Sequence, residues 1–341
     1  MVELLTTAVA VDPVGAEYDR AVAAWLAGKA RCTQVAYRRA LEDLRVVSGR
    51  PLWAMTSADV AAWLADLRGR GLAESSCGQY LAAVSSFYTW ARSRWLVIED
   101  GRERGLWLGS NPARAVDRPR VAVYGKASYL DTEELRAFLG VIRRSIGDAV
   151  VGSLAHRQGL RDYALMMTYV STGRRNSEIR RLRWGDLTPA GGRVYYQWQG
   201  KGRFDRHELP SHAWQAIVAW TGSWPADPVA GDYVFRALDD RAGRLPGVEA
   251  AGWAVNRPLS ARSVERLVQR YARMAGLNAA AVHVHTLRHA AAMLRLASGE
   301  NVLGIQALLG HATLATTQIY LAHVRGQEDV GWGKAATLLG L

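Results

Sequence analysis

Four stretches between Tyr18 and Trp90 repeat apolar residues at helical spacing. The first, Tyr18 to Lys29, places Val22, Trp25 and Leu26 on one face. The second, which Thr33 can cap, carries Val35, Tyr37, Leu41, Leu44 and Val47 and stops at Gly49 and Pro51. The third opens at Thr56 or Ser57, carries Val60, Trp63, Leu64 and Leu67, and is stopped by Gly69 and Gly71. The fourth opens at Ser75 or Ser76 and carries Tyr80, Leu81, Val84, Phe87, Tyr88 and Trp90. Residues three and four apart share a helix face. The opposite faces are polar, so these helices are expected to bury their stripes on one another as a small bundle.

The pattern then breaks. Gly101 to Arg120 is rich in Gly, Arg and Pro, with Asn111-Pro112 and Arg118-Pro119 as breakers; it reads as a last short helix followed by a linker. Asp131 with Glu134 is a capping-box start for a helix Glu133–Arg144, and another helix is expected from Gly159 to Val170. The period shortens to two in Arg193–Gln199, turns at Gly200-Lys201-Gly202 and returns through Phe204–Leu209, the one clear β signal. From Ser260 onward the spacing is helical again, in short pieces. The expectation is a mainly α protein of two domains: an N-terminal helical bundle over 15–118, and a C-terminal mixed α+β domain over 126–341 with a small antiparallel sheet. A chain of 341 residues accommodates both, since one core serves about 100–200 residues.

Composition narrows the class. The apolar fraction of 49% is ordinary for a globular protein, and no run reaches the ~18–20 apolar residues of a membrane helix. The first twenty residues have no basic segment ahead of their apolar run, so no secretory signal is expected. Cys32 and Cys77 are the only cysteines, which excludes a disulfide framework and fits a reducing cytoplasm. The net charge of +12 and pI near 10.0 favour a polyanionic partner, most often nucleic acid. Lys29, Lys126, Lys201 and Lys334 are the only lysines, so a lysine among so many arginines invites a reason.

Five short stretches carry the candidate chemistry. In Ser171-Thr-Gly-Arg-Arg-Asn-Ser-Glu178 a glycine between two helices sets Arg175 at a helix start, where backbone N–H groups favour an anion. Glu178, one turn on, is placed to orient that guanidinium. Lys201 lies at a glycine-flanked hairpin tip, where a lysine could act as an acid toward a leaving alkoxide. In His283-Val-His-Thr-Leu-Arg-His289, His285 and Arg288 share a helix face: an arginine can clamp non-bridging phosphate oxygens while a neutral imidazole moves protons. His285 and His289 also have the spacing of a zinc pair, but Thr286 stands where a zinc hydrolase needs a glutamate, and no third ligand is evident. His289 reads as structural. Finally, in Leu308-Leu-Gly-His311 and on to Tyr320, Gly310 ends one helix, His311 occupies the turn, Thr313 can cap the next helix, and Tyr320 lies about two turns into it. A phenol with a pKa near ~10 needs neighbouring positive charge or a base to become a nucleophile.

In this order, the Thr-Gly-x-Arg-x-x-Glu, Gly-Lys-Gly, His-x-Leu-Arg-His and Leu-Gly-His stretches, with a tyrosine nine residues after the last, resemble the tyrosine recombinase (phage integrase) family, of Xer or transposon type. The resemblance covers nearly the whole chain, with residues 17–115 similar to the family's SAM-like core-binding domain. It implies a catalytic set of Arg175, Lys201, His285, Arg288, His311 and Tyr320, supported by Glu178. It also implies site-specific cleavage and rejoining of DNA through a 3′-phosphotyrosine and a Holliday junction, without cofactor or metal. The implied partners are double-stranded DNA and a homotetramer on two DNA sites, with room for a second recombinase and no membrane. Arg262, Arg266 and Arg270 would line a DNA-facing stripe on a helix Ser260–Gly276, whose other face carries Val264, Leu267, Val268, Tyr271 and Met274. The apolar tail Glu328–Leu341 would dock on a neighbouring protomer. The sequence departs from the family at Arg174, where an apolar residue is usual, and in longer segments at 98–109, 145–158 and 221–256. A type IB topoisomerase-like enzyme and a non-catalytic DNA-binding regulator on the same scaffold are the alternatives.

Overall fold

In a computed structural model of the chain, the described residues are 13–94, 96–99, 102–105, 109–119, 129–200, 203–238 and 256–310. The four apolar stripes near the N-terminus form helices α1 (Pro13–Ala27), α2 (Arg31–Ser48), α3 (Ser57–Gly69) and α4 (Glu74–Arg94). Trp25, Leu41, Leu44, Trp63, Leu64, Leu81, Phe87 and Tyr88 make their common core. Thr56 caps α3, and its reciprocal bonds with Asp59 complete a capping box. Thr33 is not a cap: α2 starts at Arg31, after Ala30, so Thr33 lies inside its first turn.

The stretch expected as a short helix and linker is different. Strands β1 (Leu96–Glu99) and β2 (Arg102–Gly105) pair antiparallel as a hairpin, and among the described residues of the stretch the helical part is a single 3₁₀ turn, Pro112–Arg114. Asn111 fastens that turn to α4. It is buried, and its amide donates to Ser85 O at 2.9 Å and Thr89 Oγ1 at 3.1 Å. The chain divides into two compact units, Met1–Val123 and Tyr124–Leu341.

In the second unit, α5 (Thr132–Gly147) opens on the Asp131–Glu134 capping box. Helix α6 (Leu154–Thr172) starts at Leu154 rather than Gly159, capped by Ser153. Gly159 lies within it because a Cβ there would stand 2.7 Å from Ile146 Cγ1 of α5; its absence lets the two helices approach closely. A single-turn helix α7 (Asn176–Ile179) leads to a three-stranded antiparallel sheet, β3 (Leu187–Ala190), β4 (Arg193–Gly200) and β5 (Arg203–Leu209), in that spatial order. The expected hairpin is β4–β5, closing on Gly200↔Arg203; β3, with Pro189 on the sheet edge, adds a strand the pattern did not announce. Helices α8 (Ser211–Thr221), α9 (Ala261–Met274), α10 (Val284–Ala297) and α11 (Val302–Leu309) complete the described part. The core runs through Phe138, Leu165, Tyr169, Ile217, Trp220, Phe235, Val268 and Leu287.

Candidate active site

The turn from α6 into α7 builds the site. Gly173 ends α6 with φ +59, a left-handed conformation glycine adopts without a Cβ clash. A Cβ there would stand 2.7 Å from Leu309 Cδ2 and 3.3 Å from Ala291 Cβ, so the turn is pressed against α10 and α11. The next two residues part company: Arg174 is 3% exposed, whereas the Arg175 side chain is half exposed.

Arg175 precedes α7 and is tied to Glu178. Its backbone N–H donates to Glu178 Oε2 at 3.1 Å and its Nη1 to Oε1 at 3.1 Å. A buried carboxylate thereby fixes the guanidinium through charge-assisted bonds, and Nη2 donates to Gly310 O at 3.2 Å. Arg288, buried on α10, donates through Nη1 to Gly173 O at 2.6 Å and through Nη2 to Leu309 O at 2.7 Å. These carbonyls lie at the C-terminal ends of α6 and α11, where the helix dipoles concentrate negative charge. That is why an arginine tolerates burial here, and why the plane of its guanidinium is set.

His285 lies one turn before Arg288 on α10, with part of its side chain in solvent and part packed against the protein. Its ring stands edge-on to His289, with centroids 4.4 Å apart. Partial burial, then the Arg288 and Arg175 charges, hold its pKa below the ordinary 6.5. The imidazole is therefore neutral near pH 7 and can accept a proton. Two cations from separate elements thus act on one histidine.

The other expected residues fall outside the described part of the chain. Gly200 and Arg203 pair across the hairpin end, and Lys201, between them in sequence, is outside the described residues. So are His311, Tyr320 and the tail Glu328–Leu341, which follow Gly310, the glycine that ends α11 with φ +63. Among the described residues no group of three His, Cys, Asp or Glu could hold a metal ion, and no helix is long and apolar enough to cross a membrane.

Helix α9 is cleanly two-faced. Arg262, Arg266, Arg270 and Arg273 are exposed, while Val264, Val268, Tyr271 and Ala272 are buried. Met274, assigned by spacing to the apolar face, is 48% exposed because the helix ends there. Glu265 ties α9 to the start of α10, accepting from Val284 N–H at 3.2 Å and pairing with His283 Nδ1 at 2.5 Å.

Two features escaped the sequence. Arg174 is buried against Tyr196 of β4, its Nε donating to the phenol oxygen at 3.1 Å. Asp162 of α6 is fully buried between Arg161 and Tyr271. Arg174 stood out only as a departure from the family pattern, and nothing in the spacing pairs it with a strand residue.

Comparison with known proteins identifies the family. Residues 129–326 match the model of the phage integrase family, and residues 26–94 match the phage integrase N-terminal SAM-like domain. Tyrosine recombinase XerC of Xylella fastidiosa (strain M23) is 31% identical over 298 residues, covering 86% of each chain. Tyrosine recombinase XerD of Caulobacter vibrioides is 30% identical over 303 residues, covering 88% of each. Among solved structures, a lambda integrase tetramer bound to a Holliday junction superposes with a TM-score of 0.62 at 18% identity, covering 92% of this chain and 78% of that one. XerH site-specific recombinase bound to palindromic difH substrate, a post-cleavage complex, gives 0.61 at 19%, covering 90% and 80%. At those identities the structural likeness is one of fold.

Proposed function

Because the chain belongs to the phage integrase family of tyrosine recombinases, we propose that it is a site-specific recombinase that cleaves and rejoins double-stranded DNA through a covalent 3′-phosphotyrosine. The observation that carries this reading is the corner where Arg288 and Arg175, from separate helical segments, bind the adjacent carbonyls of Leu309 and Gly310 beside a neutral His285. Two oriented guanidinium groups suit the charge that builds on a pentacoordinate phosphate.

In the step we assign, Tyr320 attacks the scissile phosphorus as the bond to the 5′ oxygen breaks. His285 takes the phenolic proton, and Lys201 gives one to the departing 5′ oxygen. Arg175 and Arg288 hold the non-bridging oxygens, Glu178 keeps Arg175 in place, and His311 donates to the phosphate. The phosphotyrosine conserves the bond energy, so the released 5′ hydroxyl of a partner strand can reverse the step on a new duplex. Strand exchange would run through a Holliday junction in a tetramer on two DNA sites.

The helical unit would act as the core-binding domain, with Arg262, Arg266 and Arg270 of the second unit as DNA contacts from α9. The charge of +12 and a DNA substrate support a cytoplasmic location.

Covalent trapping tests the reading. The protein is incubated with genomic DNA and denatured in SDS, and the linked fragments are recovered and sequenced. Adducts joined at the 3′ end, lost in Tyr320→Phe while duplex binding persists, are the expected result. Adducts that survive Tyr320→Phe refute the nucleophile.

A further inference from the structure

The Arg174 guanidinium is 3% exposed and stands over the ring of Tyr196, with Cζ 5.5 Å from the centroid, its Nε donating to the phenol at 3.1 Å. Tyr196 is itself 5% exposed, between its register partners Leu187 of β3 and His207 of β5. On its far side Arg174 reaches the α11 terminus: a Cβ on Gly310 would be 3.2 Å from its Nη1. Arg174, Glu178 and Tyr196 also line one small cavity of about 20 Å³, room for a single water. One buried side chain therefore touches the strand that leads to Lys201, shares a turn with Arg175, and abuts the glycine that leads to His311.

A buried guanidinium is a poor choice for stability alone. Apolar side chains of similar volume in such places are often neutral or stabilising. What it supplies is direction, through a stack and a hydrogen bond of fixed geometry. Tyr196 lies four residues before the end of β4, roughly 13 Å along a strand. A tilt of about 5° at Tyr196 would then move the strand end by about 1 Å, a misplacement that can cost about 100-fold in rate.

We propose that Arg174 is a positioning residue for DNA cleavage: by clamping Tyr196 it aims the β4–β5 hairpin, and with it Lys201, at the phosphate held by Arg175. This rests on the role given to Lys201 above, and it concerns the leaving-group proton in particular.

The test uses a duplex carrying the recovered cleavage site, with either oxygen or sulfur at the 5′ bridging position. A thiolate leaves without a proton, so the sulfur duplex bypasses any defect in delivering one. Arg174→Leu and Tyr196→Phe are each expected to slow single-turnover cleavage of the oxygen duplex by about 10–100-fold. DNA affinity, measured well below each variant's melting temperature, should be unchanged, and cleavage of the sulfur duplex should return close to the wild-type rate. Arg174→Lys, which keeps the charge but neither the stack nor the planar donor, should not recover the oxygen rate. Tyr196→Phe keeps ring and volume and carries the test alone if Arg174→Leu fails to fold. Equal slowing on both duplexes, or no slowing on either, overturns the proposal. Lys201→Ala is the reference. If sulfur does not rescue it, the acid assignment itself falls and this inference with it; if sulfur rescues Lys201→Ala but not the clamp variants, only the inference falls.

Discussion

The carbonyl of Gly173 accepts a 2.6 Å hydrogen bond from Arg288, 115 residues further along the chain. The same glycine sits at φ +59, under Leu309 and Ala291, so its conformation, its missing side chain and its carbonyl all serve one contact. Gly173→Ala is expected to cost about 1–3 kcal/mol of stability from left-handed strain and overpacking. It should also tilt the carbonyl away from Arg288. Cleavage, assayed well below the variant's melting temperature, should fall at least tenfold. A variant that melts early yet cleaves at the wild-type rate would show that the Arg288 contact is only structural.

His285 gives a pH signature. Burial first, then Arg288 and Arg175, hold its pKa below 6.5. A base depressed in the fold binds fewer protons there than in the unfolded chain. Stability therefore rises with pH between the folded pKa and 6.5, and is lost as pH falls through that window. An NMR titration, with the signal assigned by His285→Gln, should place the midpoint below 6.5, and the acid limb of cleavage should lie there too. Removing one cation by Arg175→Gln should move the midpoint upward. A midpoint unmoved by Arg175→Gln would separate that arginine from the histidine.

Asp162 holds a buried polar knot between α6 and α9. Its Oδ1 accepts from Arg161 Nε at 2.9 Å and Nη2 at 2.7 Å, and its Oδ2 accepts from Tyr271 at 2.9 Å. Asp162→Ala strands a buried guanidinium, an expected loss of about 3–5 kcal/mol. Tyr271→Phe removes one neutral donor, about 0.5–1.5 kcal/mol. Urea unfolding followed by far-UV circular dichroism should rank them in that order; equal losses would mean that Arg161 finds another partner.

Features that depend on near neighbours in sequence were readable. The Asp131–Glu134 box, the Arg175–Glu178 pair one turn apart and the β4–β5 hairpin all follow from spacing. The β1–β2 hairpin went unread: Gly101 and the arginines and prolines after it read as a short helix and linker, and each strand is only four residues long. Strand β3 was not readable either, since Thr188-Pro189 reads as a loop until β4 pairs with it. Nor was the burial of Arg174: its partner Tyr196 is 22 residues away, and only the tertiary fold decides which of two adjacent arginines turns inward.

The arginine stripe of α9 calls for a salt experiment. Arg262 to Arg270 spans eight residues, about 12 Å of helix, and the DNA major groove is about 12 Å wide. A helix lying across the groove could therefore set one arginine on each wall and a third between them. An arginine on a phosphate lowers the salt slope of log K by about 0.9 when removed, and weakens binding to every sequence alike. One on a base edge leaves the slope nearly intact and costs about 1–3 kcal/mol at a single position of the site. Arg262→Ala and Arg270→Ala, at the ends of the stripe, should each show the phosphate signature. Arg266→Ala, in the middle, should show the base signature, since only the centre of such a crossing faces the groove floor. Affinities measured from low to moderate salt on the recovered site and on single-base variants of it separate the two. If none of the three substitutions changes either quantity, the stripe is a solvated helix face and α9 does not meet DNA.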